Sequence, residues 1–286
     1  MSGIVWLASY PKSGNTWFRV FLANLRRDDA TPVDINALDA TPMASARFLF
    51  DDVVGYEAGD LTPDEVDLRR PRVYEYLAAT TAETLFMKIH DAYTLTAAGE
   101  PLVSPTATRG ALYFLRNPLD VCVSFAYHSA CDVEPVIRAM ANPAYALAGR
   151  SNGLPEQLRQ RLLSWSQHVL SWVDGAPFPV LVVRYEDMHM QPLETFTQAA
   201  AFAGLPHDPQ RIARALRQST FSELQQQERA HGFREKSPRA ASFFRQGTIG
   251  SWRTHLIPAQ VARLIADHGA VMRRFGYLSA EEHVLF

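Results

Sequence analysis

The stretch "SYPKSGNTW", residues 9–17, joins two apolar runs, "IVWLA" at residues 4–8 and "FRVFLANL" at residues 18–25. The first run has the length of a buried strand, and the second has the spacing of a helix. A strand that turns into a helix presents unpaired backbone N–H groups and the positive end of the helix dipole. The stretch therefore predicts an anion site.

The residues of the loop are those that a phosphate site needs. Gly14 lets the backbone approach a ligand closely, Ser13 and Thr16 add hydroxyl groups, and Lys12 adds a positive charge. A loop that binds ATP would instead read GxxxxGK(S/T), with its lysine directly after the second glycine. Here Lys12 lies two residues before the only glycine of the loop. The pattern therefore predicts a phosphate loop, and the position of Lys12 disfavours Mg–ATP as its ligand. An ordinary turn is the alternative, since Pro, Ser, Gly and Asn dominate turns.

The composition limits the class of protein. A chain of 286 residues, 47% of them hydrophobic, can form one large α/β domain with a substantial core. Its 28 basic and 30 acidic residues nearly balance, so we expect no nucleic-acid partner. The two cysteines favour a reducing compartment. No apolar stretch reaches the ~20 residues of a membrane span and no signal-peptide pattern begins the chain, so we expect a cytoplasmic protein.

Short apolar runs alternate with helical patterns along the chain. The runs that predict buried strands cover residues 4–8, 85–89, 111–115 and 180–183. The segments with helical spacing cover residues 118–128, 154–173, 193–203, 209–218 and 258–275. Continuous apolar runs suit a parallel sheet that is covered on both faces. We therefore predict an α/β fold with a central, mostly parallel sheet flanked by helices, and a ligand site beyond the carboxyl ends of the strands.

The sequence contains no repeat and no domain linker, which predicts a single domain over residues 1–286. Three segments lack clear periodicity, near residues 28–71, 129–155 and 225–250. Long irregular segments in a compact domain are usually disordered or act as lids. We expect these three to cover a substrate.

Two further patterns carry chemical groups. In "YFLRNPLDVCVSFAYH", residues 113–128, Arg116 ends a predicted strand and Ser124 lies about two turns into the next helix. Both can reach one phosphate if strand and helix pack side by side, and a helix-capping arginine with a buried serine is the alternative. In "FMKIHDAY", strand alternation places Lys88 and His90 on one face. A structural histidine is the alternative there.

The loop "YPKSGNTW" resembles the 5′-phosphosulfate loop, YPKSGTTW, of sulfotransferases that use 3′-phosphoadenosine 5′-phosphosulfate (PAPS), and differs from it at Asn15. The resemblance implies that Lys12 contacts the 5′-phosphate and the bridging oxygen, and that Trp17 lies against the adenine. At Asn15 it implies a contact through the backbone N–H, which asparagine also provides. The implied donor-binding loop comprises Lys12, Ser13, Gly14, Asn15, Thr16 and Trp17.

Three further segments resemble motifs of the same family. "RNPLDVCVSFAYH" resembles RNxxDxxxSxxxH, which implies that Arg116 and Ser124 bind the 3′-phosphate. "KIH" resembles the KxH segment, which implies that His90 is the general base for the acceptor hydroxyl and that Lys88 steadies the transferring oxygens. "VVRYEDM" resembles the YEDM segment, which implies that Tyr185 lies near the adenine.

Two segments near the C-terminal end complete the resemblance. "QSTFSEL" resembles the adenine-contacting TSF segment, with Ser219 where threonine is usual. "FFRQGTIGSWRTHL" resembles the closing element FxRKGxxGDWK, with Gln246 in place of lysine and Ser251 in place of aspartate. The change at Gln246 removes one charge from the 3′-phosphate region. The donor-binding residues implied by these segments are Ser219, Phe221, Phe244, Arg245, Gln246 and Gly247.

These segments span residues 5–256 in the order of the family. The resemblance implies a P-loop-NTPase-like sulfotransferase fold. It also implies in-line transfer of a sulfuryl group from PAPS to a hydroxyl or amine of a small-molecule or natural-product acceptor, which leaves 3′,5′-adenosine bisphosphate (PAP). His90 is the implied base, and Lys12 is the implied group that stabilises the leaving phosphate. No metal ion is expected, because no His/Cys cluster has ligand spacing.

Two other functions remain as alternatives, a P-loop kinase for small molecules and a non-catalytic nucleotide-binding protein. The Arg116 and Ser124 pair suits a 3′-phosphate, which ATP lacks, and this disfavours the kinase. The C-terminal dimerisation pattern of the family, KxxxTVxE, is not evident in "RTHLIPAQVARL". A homodimer would therefore form through another surface.

Overall fold

The computed structural model describes residues 3–38, 40–149 and 155–286. Its strands are β1 (Gly3–Ser9), β2 (Thr84–Ile89), β3 (Thr108–Leu115), β4 (Ala146–Leu147), β5 (Gln160–Arg161) and β6 (Val180–Arg184). Its helices are α1 (Asn15–Arg27), α2 (Arg47–Val54), α3 (Pro63–Thr80), α4 (Pro118–Ser129), α5 (Val133–Ala141), α6 (Trp165–Val173), α7 (Tyr185–Met190), α8 (Pro192–Phe202), α9 (Pro209–Gln218), α10 (Phe221–His231) and α11 (Pro258–Arg274). Short 3-10 turns lie at Ala58–Asp60, Pro105–Ala107 and Ser251–Thr254.

Strands β1, β2, β3 and β6 form one sheet in the order β2-β1-β3-β6. β1 and β2 pair in parallel, from Gly3 opposite Thr84 to Ala8 opposite Ile89. Every residue of β1 is buried, because its sequence is apolar on both faces up to Ser9. The predictions of four strands and of an α/β fold with a parallel sheet are confirmed.

The order of the sheet reverses at β1. The chain places β2 on one side of β1 and, later, β3 on the other side. Such a reversal is the switch point of an open α/β sheet, where ligands bind beyond the carboxyl ends of the strands. The loop that follows Ser9 starts at this point.

The chain divides into two compact units. Unit 1 comprises Met1–Tyr10, Ala40–Tyr113 and Pro143–Val182, and unit 2 comprises Pro11–Asp39, Phe114–Asn142 and Val183–Phe286. Unit 1 holds the sheet, except for the last residues of β3 and β6, together with α2, α3 and α6, and α3 packs on β1. Unit 2 holds α1, α4, α5 and α7 to α11. The single domain over residues 1–286 stays a prediction.

Local sequence signals set the starts of several helices. Asn117 caps α4, since its side chain accepts from the backbone N–H of Leu119, and Pro118 is the first helical residue. Asp208 caps α9 by accepting from two backbone N–H groups. The helices predicted at residues 118–128, 193–203, 209–218 and 258–275 correspond to α4, α8, α9 and α11 to within one residue.

The helix predicted over residues 154–173 is wrong in its first half. Residue 154 lies outside the described residues, and α6 begins only at Trp165. The preceding residues include β5, which pairs antiparallel with β4, and Leu163 has a φ of 59°. Ser164 and Gln167 form a capping box that satisfies the first N–H groups of α6 and fixes its start.

The segments predicted to be irregular are partly helical. Residues 28–71 contain α2 and the first half of α3, and residues 129–155 contain α5. α3 has no clear apolar stripe because it buries Asp67 and Arg70, each 1% exposed, and contains Pro71. In the third segment α10 continues to His231, and only the part after it, residues 232–250, lacks helix and strand.

A buried ion pair explains the charged residues inside α3. Arg70 binds Asp91 through two contacts, Nη2–Oδ2 at 2.6 Å and Nη1–Oδ1 at 3.1 Å. Asp91 directly follows His90 and also accepts from the backbone N–H of Arg161, and its carbonyl accepts from Trp172 Nε1. Asp91 therefore ties the end of β2 to α3, β5 and α6.

We expect Asp91→Ala to destabilise the protein by about 3–5 kcal/mol, because it leaves the buried Arg70 guanidinium without its main partner. Urea unfolding measures this loss. Arg72→Ala, which removes an exposed guanidinium that binds Glu75 on the same helix, is the control and should hardly move the midpoint. Equal midpoints for Asp91→Ala and Arg72→Ala would show that the buried pair does not stabilise the fold.

Candidate active site

The loop after β1 leads into α1 through two residues with positive φ. Lys12 has a φ of 70° and Gly14 a φ of 98°. A Cβ on Gly14 would lie 2.8 Å from Cδ2 of Tyr185, so glycine is required both by the backbone and by the close contact. No side chain caps α1 and no acidic residue lies in its first turn, which leaves its N-terminus open to an anion.

The side chains of the loop are largely buried. Ser13 is 1% exposed, and its Oγ has no hydrogen-bond partner among the described residues. Because buried polar groups are nearly always hydrogen-bonded, this hydroxyl fits a ligand that accepts or donates at the loop. Asn15 and Thr16 are also buried, at 4% and 7% exposure. Lys12 Nζ lies 4.1 Å from the centroid of the Phe243 ring, a cation–π contact.

Arg116 connects three of the segments predicted to bind the donor. It is 7% exposed and donates through Nη1 to the Lys12 carbonyl at 3.2 Å and through Nη2 to the Thr248 carbonyl at 3.0 Å. Its guanidinium carbon lies 4.2 Å from the centroid of the Tyr185 ring. Its Nε has no partner among the described residues, so this N–H is available to an anion. Ser124 lies half-buried on α4.

Two buried carboxylates fix the surroundings of Arg116, and sequence reasoning missed both roles. Glu186 accepts from the backbone N–H of Asn117 at 3.0 Å and from the Tyr277 hydroxyl at 2.8 Å, and burial raises its pKa. Asp120 accepts from the N–H of Gly250, the hydroxyl of Ser251 and the N–H of Trp252, at 2.8 to 3.0 Å. Their place within the YEDM and RNxxD motifs is the signal that could have indicated them.

An aromatic group lies beside the loop. The Trp17 ring centroid is 6.0 Å from that of Tyr185 and 4.7 Å from that of His189, and His189 is 4.6 Å from Tyr185. Burial, followed by the charge of Arg116, lowers the pKa of His189 to about 4, so this ring is neutral at pH 7. Sequence reasoning missed His189, which lies four residues after Tyr185 and therefore on the same face of α7.

The two C-terminal segments meet at α10. Phe221 begins α10, and its ring centroid is 6.1 Å from that of Phe244. Gly247 has a φ of 62°, and a Cβ there would clash with the Phe221 ring, so only glycine fits. Ser219 is fully buried and its hydroxyl donates to the carbonyl of Ala215 at the end of α9. The Ser219 side chain thus satisfies a backbone carbonyl in the last turn of α9.

Arg245 and Gln246 occupy different environments. The Arg245 guanidinium lies 3.7 Å from the centroid of the Tyr127 ring and contacts His255 Nε2 at 3.4 Å. Gln246 is exposed. Of these two, Arg245 is therefore the side chain that the structure holds in a defined position.

His90 follows β2 in unit 1. Its Nδ1 lies 2.8 Å from the Ser9 carbonyl oxygen and 3.2 Å from Ser9 Oγ. A carbonyl oxygen only accepts, so Nδ1 carries a hydrogen, and in the neutral ring Nε2 then carries the lone pair. This is the tautomer that a general base needs. Lys88 is 8% exposed, and its backbone pairs with Pro42 and Ala44 at the outer edge of β2.

The backbone of His90 is held from α6, which sequence reasoning also missed. His168 is fully buried, its Nε2 lies 3.0 Å from the His90 carbonyl, and its Nδ1 lies 2.7 Å from the Tyr113 hydroxyl. Burial lowers the pKa of His168 to about 4. Trp172 lies four residues later and binds the next carbonyl, that of Asp91, at 2.9 Å. The spacing of His168 and Trp172 on one helix face is the signal in the sequence.

Within residues 3–38, 40–149 and 155–286, no group of three or more His, Cys, Asp and Glu side chains is arranged to hold a metal ion. In the same described part of the chain, no helix is both long enough and apolar enough to cross a membrane.

Comparison with known proteins places the chain in a family. A family model described as "Sulfotransferase domain" matches residues 3–276. Cytosolic sulfotransferase 17 of Arabidopsis thaliana is 23% identical over 294 residues, which cover 96% of this chain and 76% of the relative.

Solved structures share the fold. Mouse sulfotransferase SULT7A1 complexed with PAP matches with a TM-score of 0.57 and 20% identity, covering 95% of this chain and 85% of that one. Retinol dehydratase in a complex with retinol and PAP matches with a TM-score of 0.60 and 18% identity, covering 94% and 81%. The predicted sulfotransferase fold is confirmed. Because the family model covers nearly the whole sequence and these structures share its architecture, the chain belongs to the sulfotransferase domain family.

Proposed function

We propose that the protein transfers a sulfuryl group from PAPS to a hydroxyl or amine of a small-molecule acceptor and releases PAP. The observation that carries the proposal is the uncapped N-terminus of α1, with the buried and unpartnered Ser13 hydroxyl beside it. Lys12 and Arg116 add positive charge to the same loop. The family membership and the PAP bound to two relatives support the same conclusion.

Each part of the donor has a matching group of residues. For the 5′-phosphosulfate these are Lys12, Ser13, Gly14, Asn15 and Thr16. For the 3′-phosphate they are Arg116, Ser124, Phe244, Arg245, Gln246 and Gly247. For the adenine they are Trp17, Tyr185, Ser219 and Phe221. The unpartnered Nε of Arg116 fits an anion, and the partly exposed Trp17 ring fits a planar base.

In the proposed step the acceptor oxygen attacks sulfur while the bond between sulfur and the bridging oxygen breaks. The electron pair of that bond stays on the 5′-phosphate of PAP, where Lys12 and the N–H groups of α1 stabilise it. His90 takes the proton of the acceptor at Nε2, the nitrogen that its contact with Ser9 leaves unprotonated. Lys88 steadies the transferring oxygens. A sulfuryl group carries less charge than a terminal phosphoryl group, so lysines and backbone donors serve without a metal ion.

A small-molecule kinase is the competing enzyme. Against it stand the position of Lys12 before Gly14 and the Arg116 site, which suits a 3′-phosphate. A non-catalytic nucleotide-binding protein is the competing binding module, and the tautomer of His90 argues against it, since binding alone needs no base. The cytoplasmic location and a homodimer that pairs outside the usual C-terminal motif remain predictions.

We expect PAP to stabilise the protein and ATP–Mg²⁺ to do so far less. At 100 times its Kd, PAP adds about 2.7 kcal/mol, which raises the melting temperature of a protein of this size by about 5 °C. Differential scanning fluorimetry with PAP, 5′-AMP and ATP–Mg²⁺ measures this. Stabilisation by ATP–Mg²⁺ alone would contradict the proposal and favour the kinase.

We expect His90→Gln to lower kcat by about 10²–10⁴-fold, because an amide can still donate to the Ser9 carbonyl but cannot take a proton. A screen of phenols, sugars, lipid alcohols and amines with PAPS, read by the mass gain of one sulfate, first supplies an acceptor. His283→Ala, which removes an exposed imidazole, is the matched control and should leave kcat unchanged. A His90→Gln enzyme as fast as the wild type would rule out the base.

We expect Lys12→Met to lower kcat by about 10²–10³-fold, because it removes a charged donor from the oxygen that becomes negative in the transition state. Rapid-quench measurement of a single turnover at saturating PAPS isolates this effect from donor binding. If the single-turnover rate is unchanged and only the KM for PAPS rises, Lys12 binds the donor but does not stabilise the leaving phosphate.

A further inference from the structure

Residues 232–250 carry proposed donor ligands without regular secondary structure. α10 ends at His231, and the next turn of helix begins at Ser251. Between them lie Phe243, which contacts Lys12, and Arg245, proposed above for the 3′-phosphate. Since no helix or strand fixes this backbone, side chains from elsewhere have to hold it.

Two side chains of α10 provide that support. Gln225 and Glu228 are three residues apart and therefore lie on one face of the helix. The two carboxylate oxygens of Glu228 accept from the N–H groups of Phe243 at 2.6 Å and Phe244 at 2.9 Å. Gln225 Nε2 donates to the carbonyls of Phe244 at 2.9 Å and Arg245 at 3.0 Å. Backbone groups of three consecutive residues are thus bound from one helix face.

These contacts act on the backbone and set where the side chains go. With residues 243–245 fixed, the Phe243 ring lies under the Lys12 ammonium group and the Arg245 guanidinium lies on the Tyr127 ring. Hydrogen bonds to a carboxylate are stronger than neutral ones, so Glu228 is the stronger of the two supports.

The contacts of Gln225 and Glu228 have a larger effect on ligand binding because residues 232–250 lack one positive charge that the family's closing element has. Gln246 is exposed and neutral at the place where the closing element of the family has a lysine. A segment that is ordered before the ligand arrives loses less entropy on binding, which raises affinity without a further charge. We propose that Gln225 and Glu228 are positioning residues that hold Arg245 ready for the 3′-phosphate. This inference rests on the proposed function, since it assumes a ligand with that group.

The first test compares donor binding in Glu228→Ala, Glu228→Gln and Gln226→Ala. Gln226 is exposed on the same helix, so its removal is the matched control. We expect Glu228→Ala to weaken PAP binding, measured by calorimetry, by about tenfold, which is about 1.4 kcal/mol. Glu228→Gln, which keeps the shape and one acceptor, should weaken it less, and Gln226→Ala should match the wild type. In turnover assays the KM for PAPS rises and kcat at saturating PAPS stays the same.

A double-mutant cycle separates positioning from general destabilisation. If Glu228 acts through Arg245, then Glu228→Ala adds little in an Arg245→Ala background. Losses that add fully would overturn the proposal, as would unchanged PAP affinity in both Glu228 variants.

Hydrogen exchange of the unliganded protein tests the support without any nucleotide. The amides of residues 243 and 244 should exchange faster in Glu228→Gln than in Gln226→Ala, because they lose part of their acceptor. Equal exchange rates in the two variants would show that Glu228 does not hold the backbone of residues 243 and 244. A wild type that does not bind PAP would instead overturn the proposed function, whatever the exchange shows.

Discussion

The Arg116 guanidinium is the group on which the candidate site depends. Its two Nη atoms donate to the carbonyls of Lys12 and Thr248, and its guanidinium carbon lies over the Tyr185 ring, 4.2 Å from the centroid. These partners lie in three different segments of unit 2, so one side chain fixes their arrangement. Lysine could not replace it, because only arginine offers several donors in a rigid plane that also stacks on an aromatic ring. The Nε of Arg116 has no partner in the described part of the chain, so its N–H is available to an anion.

The carboxylates around this arginine bind backbone amides, and Asp120 Oδ2 also lies 3.7 Å from Arg116 Nη2. Asp120 holds the N–H groups of Gly250 and Trp252, and Glu228 holds those of Phe243 and Phe244. The backbone is therefore hydrogen-bonded both before Arg245, at residues 243–244, and after it, at residues 250–252. Asp120 thus serves both the guanidinium of Arg116 and the backbone of the segment that follows Arg245.

Features set by neighbouring residues, such as strands and helix starts, could be predicted from the sequence. Contacts between residues far apart in the chain could not. The four strands are continuous apolar runs, and α4 starts at Asn117 and Pro118, so both could be predicted. The start of α3 was readable from the capping box of Thr62 and Glu65, but its apolar pattern is broken by the buried Arg70, which is satisfied by Asp91, 21 residues away. The loop, Arg116 and His90 stood out by motif. The spacing of His168 and Trp172 shows that both lie on one helix face, but not that His168 contacts His90, which is 78 residues away. The capping box at Ser164 was readable and would have corrected the start of α6.

The tautomers of His168 and His90 follow from hydrogen bonds to two carbonyl oxygens in unit 1. The Tyr113 hydroxyl lies at Nδ1 of His168, whose Nε2 lies at the His90 carbonyl, and a carbonyl accepts only. His168 therefore carries its hydrogen on Nε2 and accepts from tyrosine at Nδ1, which the low pKa of about 4 allows by keeping the ring neutral. The same logic at the Ser9 carbonyl places the hydrogen of His90 on Nδ1. Two carbonyl oxygens thus determine both tautomers, and the second belongs to the last residue of β1, from which the chain continues into the loop with Lys12. The His90 nitrogen proposed above as the base is thus set by the last residue of the strand that leads into the loop with Lys12.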